Sequence, residues 1–184
     1  LLYSYQVNQQ GEPKVPPFIR GIMIKFLVLL FGVGIANAET LPNPNIPPVS
    51  NLINGKVLPM EPTLAKQQSL EMYQKIDKRY LITHRTLRAK GTRAPIHVHP
   101  FGGQTCVVSG EMTLFMDGVS PVKKTAGECY WMPPVTRMSG VNTGDTDALM
   151  FDTFLVDNED DIWIIVEPNL PFNQEQYNSQ YHRH

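Results

Sequence analysis

The residues of this chain best placed to do chemistry are His97 and His99, at the end of the run Gly91-Thr92-Arg93-Ala94-Pro95-Ile96-His97-Val98-His99. Alternate residues of a β-strand project to one face, so two imidazoles two positions apart can share one metal ion. Gly102-Gly103 can turn the chain back, and Gln104 then opens the return strand opposite the histidines, offering an amide oxygen that can coordinate or hydrogen-bond. The plainer reading is a pair of inward polar residues that only hydrogen-bond inside a core. His84, on the preceding apolar run, completes a metal cluster only if its face and depth match. Asp152 is flanked by Phe151 and Phe154; a carboxylate buried there is costly unless paired, which makes it a reserve ligand or an acid/base group. His182-Arg183-His184 repeats the same spelling at the chain end, where no rigid frame holds it. The acidic run from Asp157 to Asp161 lacks the glycine and ligand order of a calcium loop and reads as a solvated turn.

The elements that must position these groups read as short strands. Strand-like runs cover Tyr80 to Ala89, Ala94 to His99, Thr105 to Val108, Met112 to Met116, Cys129 to Met132, Ala148 to Val156 and Asp161 to Val166. Lys90-Gly91, Asp117-Gly118, Ala126-Gly127, Pro133-Pro134 and Thr143-Gly144-Asp145 punctuate them. This spacing predicts an all-β sandwich or jelly-roll barrel and argues against alternating βαβ units. Leu64 to Tyr73 mixes good helix formers, so a short helix and an irregular strand both remain open there. Residues 39–62 carry six prolines and read as an extended arm that needs something else to pack on; residues 169–184 read as a polar, frayed tail.

The bulk numbers narrow the partners. A chain of 184 residues suits one domain, and a net charge of -1 without long basic runs gives no reason to expect nucleic acid or an anionic membrane surface, which leaves a small-molecule ligand as the expected partner. Met23-Ile24-Lys25, the apolar run Phe26 to Ile35 and then Ala36-Asn37-Ala38 have the three-part layout of a secretory signal. The reading is therefore residues 1–22 as an upstream segment foreign to the functional protein, 23–38 as a signal peptide cleaved after Ala38, and 63–168 as the barrel domain. No stable membrane insertion is expected after cleavage, and the mature protein is expected in the periplasm or outside the cell, where disulfides persist.

The histidine spacing resembles the first motif of the cupin family, G-x5-H-x-H-x3or4-E-x6-G, through Gly91, His97, His99 and Gly110. At the acidic slot two counts compete. Counting on from His99 brings Gln104 there, and counting back from Gly110 brings Gly103; Gln104 is preferred because glycine has no side chain to offer. The second motif, G-x5-P-x-G-x2-H-x3-N, is similar to Gly127, Pro133 and Asn142, with Val135 in place of its second glycine and Met138 in place of its histidine.

The resemblance implies an all-β fold, the cupin double-stranded β-helix (jelly-roll barrel) with an extended N-terminal arm. It also implies a metal site at its mouth, here with His97, His99, Gln104 and Met138 where cupins usually have three histidines and a glutamate. With an amide and a thioether replacing two of those donors, Cu, Zn, Ni or Fe is expected over Mn, and the soft sulfur suits Cu(I). Phe115, Tyr130, Trp131, Met132, Phe151 and Asp152 are the expected pocket lining. Arg93 and Arg137, beside the two motifs, either steer an anion to the mouth or stay solvated. The strands carrying the two motifs can lie side by side in such a barrel, which leaves open a Cys106–Cys129 bridge. Cupins commonly pair through N-terminal arms, so a homodimer is a further expectation. Two functions follow: a metal-dependent oxygenase or isomerase acting on a small molecule, or a degenerate barrel that binds a small molecule without chemistry.

Overall fold

The structure is a computed structural model, and it describes residues 45–158 and 162–180. The chain divides into two compact units, Leu1–Thr40 and Leu41–His184, and every described residue belongs to the second. The predicted upstream segment and signal peptide therefore lie outside the described residues, as does His182-Arg183-His184.

Two sheets make the fold. The first is five-stranded and antiparallel, built from β4 (Gln67–Ile76), β5 (Arg79–Arg88), β8 (Gly103–Ser109), β11 (Cys129–Met132) and β13 (Ala148–Val156) in the order β11-β8-β13-β5-β4. The second runs β10 (Val122–Thr125), β9 (Glu111–Met116), β12 (Met138–Val141), β6 (Thr92–Arg93) and β3 (Glu61–Pro62), with β7 (His97–Val98) also pairing β12 and β14 (Ile164–Ile165) pairing β7. Inward residues of both sheets form one core, with Ile82, Val107 and Phe154 from the first meeting Met112, Leu114 and Met138 from the second. The all-β expectation holds.

Local physics explains where the strands lie. β11 and β13 fall where alternation predicted them, Tyr130 and Met132 turning in while Cys129 and Trp131 turn out. The 64–73 segment is strand from Gln67 on: its helix formers are overridden by a ladder in which β4 pairs β5 from Gln67↔Leu87 to Ile76↔Arg79. Cys106 and Cys129 are direct partners on β8 and β11 and are bridged, with Cα atoms 4.0 Å apart.

Two expectations at the ends are corrected. The described part of the proline-rich arm packs on its own barrel: the hairpin β1 (Leu52–Ile53) and β2 (Lys56–Val57) buries Ile53, the adjoining Leu58 is buried too, and β3 runs parallel to β6. Asn54 clamps the hairpin by donating to the Met116 and Val119 carbonyls at 3.0 Å each. The tail is not frayed as far as residue 180. It forms helix α1 (Gln174–Asn178), capped by Asn173 with Gln176 reciprocating, and buries Tyr177 in the core.

Candidate functional site

Strands β7, β8, β9, β11, β12 and β13 direct side chains into one cavity of about 50 Å³. His97 and His99 both line it, as strand alternation predicted, and both are buried. Met138, fully buried on β12, is the cross-strand partner of His97 and lines the same cavity. Tyr130, Met132 and Asp152 line it as well.

The remaining expected site residues lie elsewhere. Gln104 is exposed on the outer face of β8, opposite the exposed Trp131, and both border a surface groove. It cannot serve with the histidines. The inward residue is Gly103, where a Cβ would come within 2.5 Å of the Phe154 ring, so an aromatic ring fills the space beside the acidic slot. Phe151 also points out, and Phe115 packs under the arm with Ile53 and Ile96. All these corrections have one cause: with period 2, a one-residue error of parity turns a side chain to the other face.

Arg93 and Arg137 are both held in ion pairs. Arg93 is clamped by Glu167 in a buried two-pronged pair, with Nη1 and Nη2 donating at 2.7 and 2.6 Å, and Arg137 pairs with Asp117 at 2.6 Å. Sequence reasoning missed Thr86, Arg88, Thr105, Met112 and Met150 as cavity lining. The signal was there in β5, whose buried residues Ile82, His84, Thr86 and Arg88 alternate strictly.

The geometry of the histidine pair is specific. His97 Nδ1 lies 2.7 Å from the Pro95 carbonyl, and His99 Nδ1 lies 2.6 Å from the Ile162 carbonyl. Carbonyl oxygens only accept, so each Nδ1 carries the ring hydrogen and donates it. The two Nε2 atoms then face each other 3.1 Å apart. Satisfying all three contacts takes three ring hydrogens, whereas two neutral imidazoles carry two. The third position calls for a proton or another cation. A proton is disfavoured: burial, helped by the Arg88 charge, pushes His97 down to about 4 against the pull of Pro95 and Glu167. Burial and the neighbouring His97 push His99 well below the usual histidine range as well.

Elsewhere in the cavity lining, both oxygens of Asp152 are answered. Asp152 Oδ2 accepts from Thr86 and Oδ1 from Thr105, both at 2.6 Å. Burial raises its pKa, while the two threonine hydrogen bonds and Arg88 pull the other way. Burial and the Asp152 charge push the Tyr130 phenol upward.

The motif positions take the shape the sequence suggested. Gly91, Gly110 and Gly127 have positive φ, and Val135, where cupins have glycine, is held at φ 55° with its N–H donating to the His99 carbonyl at 2.9 Å. Asn142 is buried and donates to the Arg88 and Thr146 carbonyls. Two facing sheets thus bring the two motifs to one internal cavity. The fold has the all-β, two-sheet form that the cupin resemblance implies. The cupin ligand set is incomplete in it: among the described residues no three His, Cys, Asp or Glu side chains come together as a metal-holding group, so His84 does not supply the third histidine.

No family model matches the chain, and no curated protein does. Among solved structures it aligns with Peruvianin-I, described as a cysteine peptidase from Thevetia peruviana latex, at 19% identity over 47% of this chain and 55% of that one, with TM-score 0.42. It aligns with an oxalate oxidase in complex with the substrate analogue glycolate at 24% identity over 47% and 46%, with TM-score 0.41. A cupin 2 conserved barrel domain protein from Salinispora arenicola aligns at 17% identity over 61% and 80%, with TM-score 0.41. The alignment spans about half the length of the first two, and no activity passes from any of the three to this chain.

Proposed function

We propose that this cupin barrel binds a metal ion through Nε2 of His97 and Nε2 of His99. One observation carries the reading: two buried nitrogen lone pairs converge at 3.1 Å while the other nitrogen of each ring is anchored by a backbone carbonyl. Such outer anchoring is how metal-binding histidines are usually oriented, because it fixes the tautomer and raises the basicity of the free nitrogen. A bound ion supplies a Lewis acid or redox centre at the cavity wall. The protein's own groups would hold a small substrate against it, with Asp152 able to keep or accept a proton and Arg88 able to pair with an anionic group. A cavity of about 50 Å³ limits that substrate to a few heavy atoms, far below the pocket of roughly 300–1,000 Å³ that a drug-sized ligand takes. An oxygenase or isomerase of a very small molecule fits this reading.

A second reading, a metal-free barrel that binds a small polar molecule, is favoured by the Arg88, Asp152 and Tyr130 groups that line the same cavity. Elemental analysis and metal titration of untagged protein separate the two. The proposal expects about one ion per chain in wild type and a loss of at least 100-fold in affinity, about 3 kcal/mol, in His97→Ala and in His99→Ala. Unchanged metal binding in both variants sinks it in favour of the second reading.

We also place the mature protein in an oxidising compartment after export. The Cys106–Cys129 bridge supports this, since disulfides persist there and are rare in the cytosol. N-terminal sequencing of exported protein should begin at Glu39; an intact Met23 there counts against cleavage.

A further inference from the structure

We propose that the ion this cavity selects is soft and monovalent, Cu(I) with Ag(I) as its redox-inert counterpart, and that methionine sulfur completes its coordination. This rests on the two-histidine reading and specifies it. Four thioethers, of Met112, Met132, Met138 and Met150, line the cavity with the histidine pair. Met138 stands directly across from His97 in the β12–β7 ladder, at the position where a third imidazole would make the usual cupin set. Methionine is a common filler of apolar cores. Here, however, the thioethers share a small cavity with two imidazole nitrogens that have no hydrogen between them, and thioether with imidazole is a donor set that suits Cu(I).

Charge points the same way. Arg88 is 3% exposed and lines the cavity. Its hydrogen bonds to described residues all run from Nη1, to Thr63 and to the Arg93 carbonyl. None of the ion pairs among described residues involves it. Asp152, the one carboxyl lining the cavity, has both oxygens committed to threonine hydroxyls. A fixed positive charge opposes a cation in proportion to that cation's charge, so Arg88 penalises a divalent ion about twice as strongly as a monovalent one. Hard and borderline divalent ions find a thioether at Met138 in place of a third imidazole, and the one carboxyl in the lining already has both oxygens hydrogen-bonded. Cu(I) and Ag(I) need neither.

The test is an anaerobic titration of Cu(I) against a chromophoric Cu(I) chelator, with Ag(I), Zn²⁺ and Ni²⁺ in parallel, on protein whose disulfide is confirmed intact so that no thiol competes. The expected result is one Cu(I) or Ag(I) per chain, bound more tightly than Zn²⁺ or Ni²⁺. Met138→Leu should weaken Cu(I) by about 10-fold or more, and Met138→His should shift preference toward Zn²⁺ and Ni²⁺ by a similar factor. X-ray absorption of the selenomethionine protein loaded with Ag(I) should show selenium bonded to metal, a readout that does not depend on any variant folding. Zn²⁺ or Ni²⁺ binding more tightly than Ag(I) would overturn the proposal, as would absence of a selenium–metal bond; the two-histidine reading then stands if His97→Ala loses the divalent ion. If neither class of ion binds, both fall.

Discussion

Two polar groups line the cavity, the histidine pair and Asp152, and they are satisfied in opposite ways. At the carboxyl group, each Asp152 oxygen has a threonine hydroxyl at 2.6 Å. At the histidine pair, two acceptors face each other 3.1 Å apart and both ring hydrogens are committed elsewhere. The first arrangement is complete as a structure. The second has one cation too few, and that difference, more than the histidine spelling itself, separates a candidate metal centre from a well-bonded core.

The largest effect that should expose this contrast is the pH dependence of metal-free stability. A histidine whose folded pKa lies below its unfolded value near 6.5 stays proton-free in the fold while the unfolded chain takes protons up. Its contribution is therefore full above about pH 6.5 and is lost as pH falls toward 4, for His97 amounting to about 3 kcal/mol, with His99 acting in the same direction. Asp152 works in the opposite sense, since a raised carboxyl pKa stabilises at acid pH and that contribution is lost as pH rises through the folded value. Denaturant melts between pH 7 and 4 should show the histidine loss; flat stability over that range would mean the rings are accessible to protons in the fold.

Next in size, Thr105→Val removes one of the donors to Asp152 and should cost about 1–3 kcal/mol, because it leaves a buried acceptor unmet. Metal affinity should stay within about two-fold. If metal binding collapses while stability holds, the two groups have been assigned the wrong way round. The smallest effect is expected outside the cavity: Gln104→Glu places a carboxylate on the outer face of β8 and should leave Mn²⁺ affinity unchanged. A gain of about 10-fold in Mn²⁺ binding would show that residue 104 reaches the ion after all.

Much of this was legible in the sequence, and the pattern of what was not is physical. Turn residues and apolar alternation located β11 and β13 to the residue, and the two motifs located the cavity. The cupin resemblance left the Cys106–Cys129 bridge open, and the β8–β11 register decides it. Facing was the weak point. Gln104, Phe115, Trp131 and Phe151 were expected inside and lie outside, because a strand's sequence gives its period and a neighbouring strand's register gives its phase. Phe154, which covers Gly103, is ten residues past Gly144 in sequence and reaches the acidic slot only through the β8–β13 ladder. Tyr177 sits in a polar stretch with no periodicity to mark it, and only docking on the barrel buries it. Polar β4 carries helix-forming residues and owes its extended form to β5.

The central claim is about hydrogens on two imidazole rings, and long-range proton–nitrogen correlation spectra of the histidines read it directly. In metal-free protein at pH 7, His97 and His99 should both be neutral with the hydrogen on Nδ1, and both Nε2 resonances should move when one equivalent of Ag(I) is added. A hydrogen on either Nε2, together with Nε2 resonances that do not move on adding metal, would mean the rings simply bond to each other and that the pair is not a metal site.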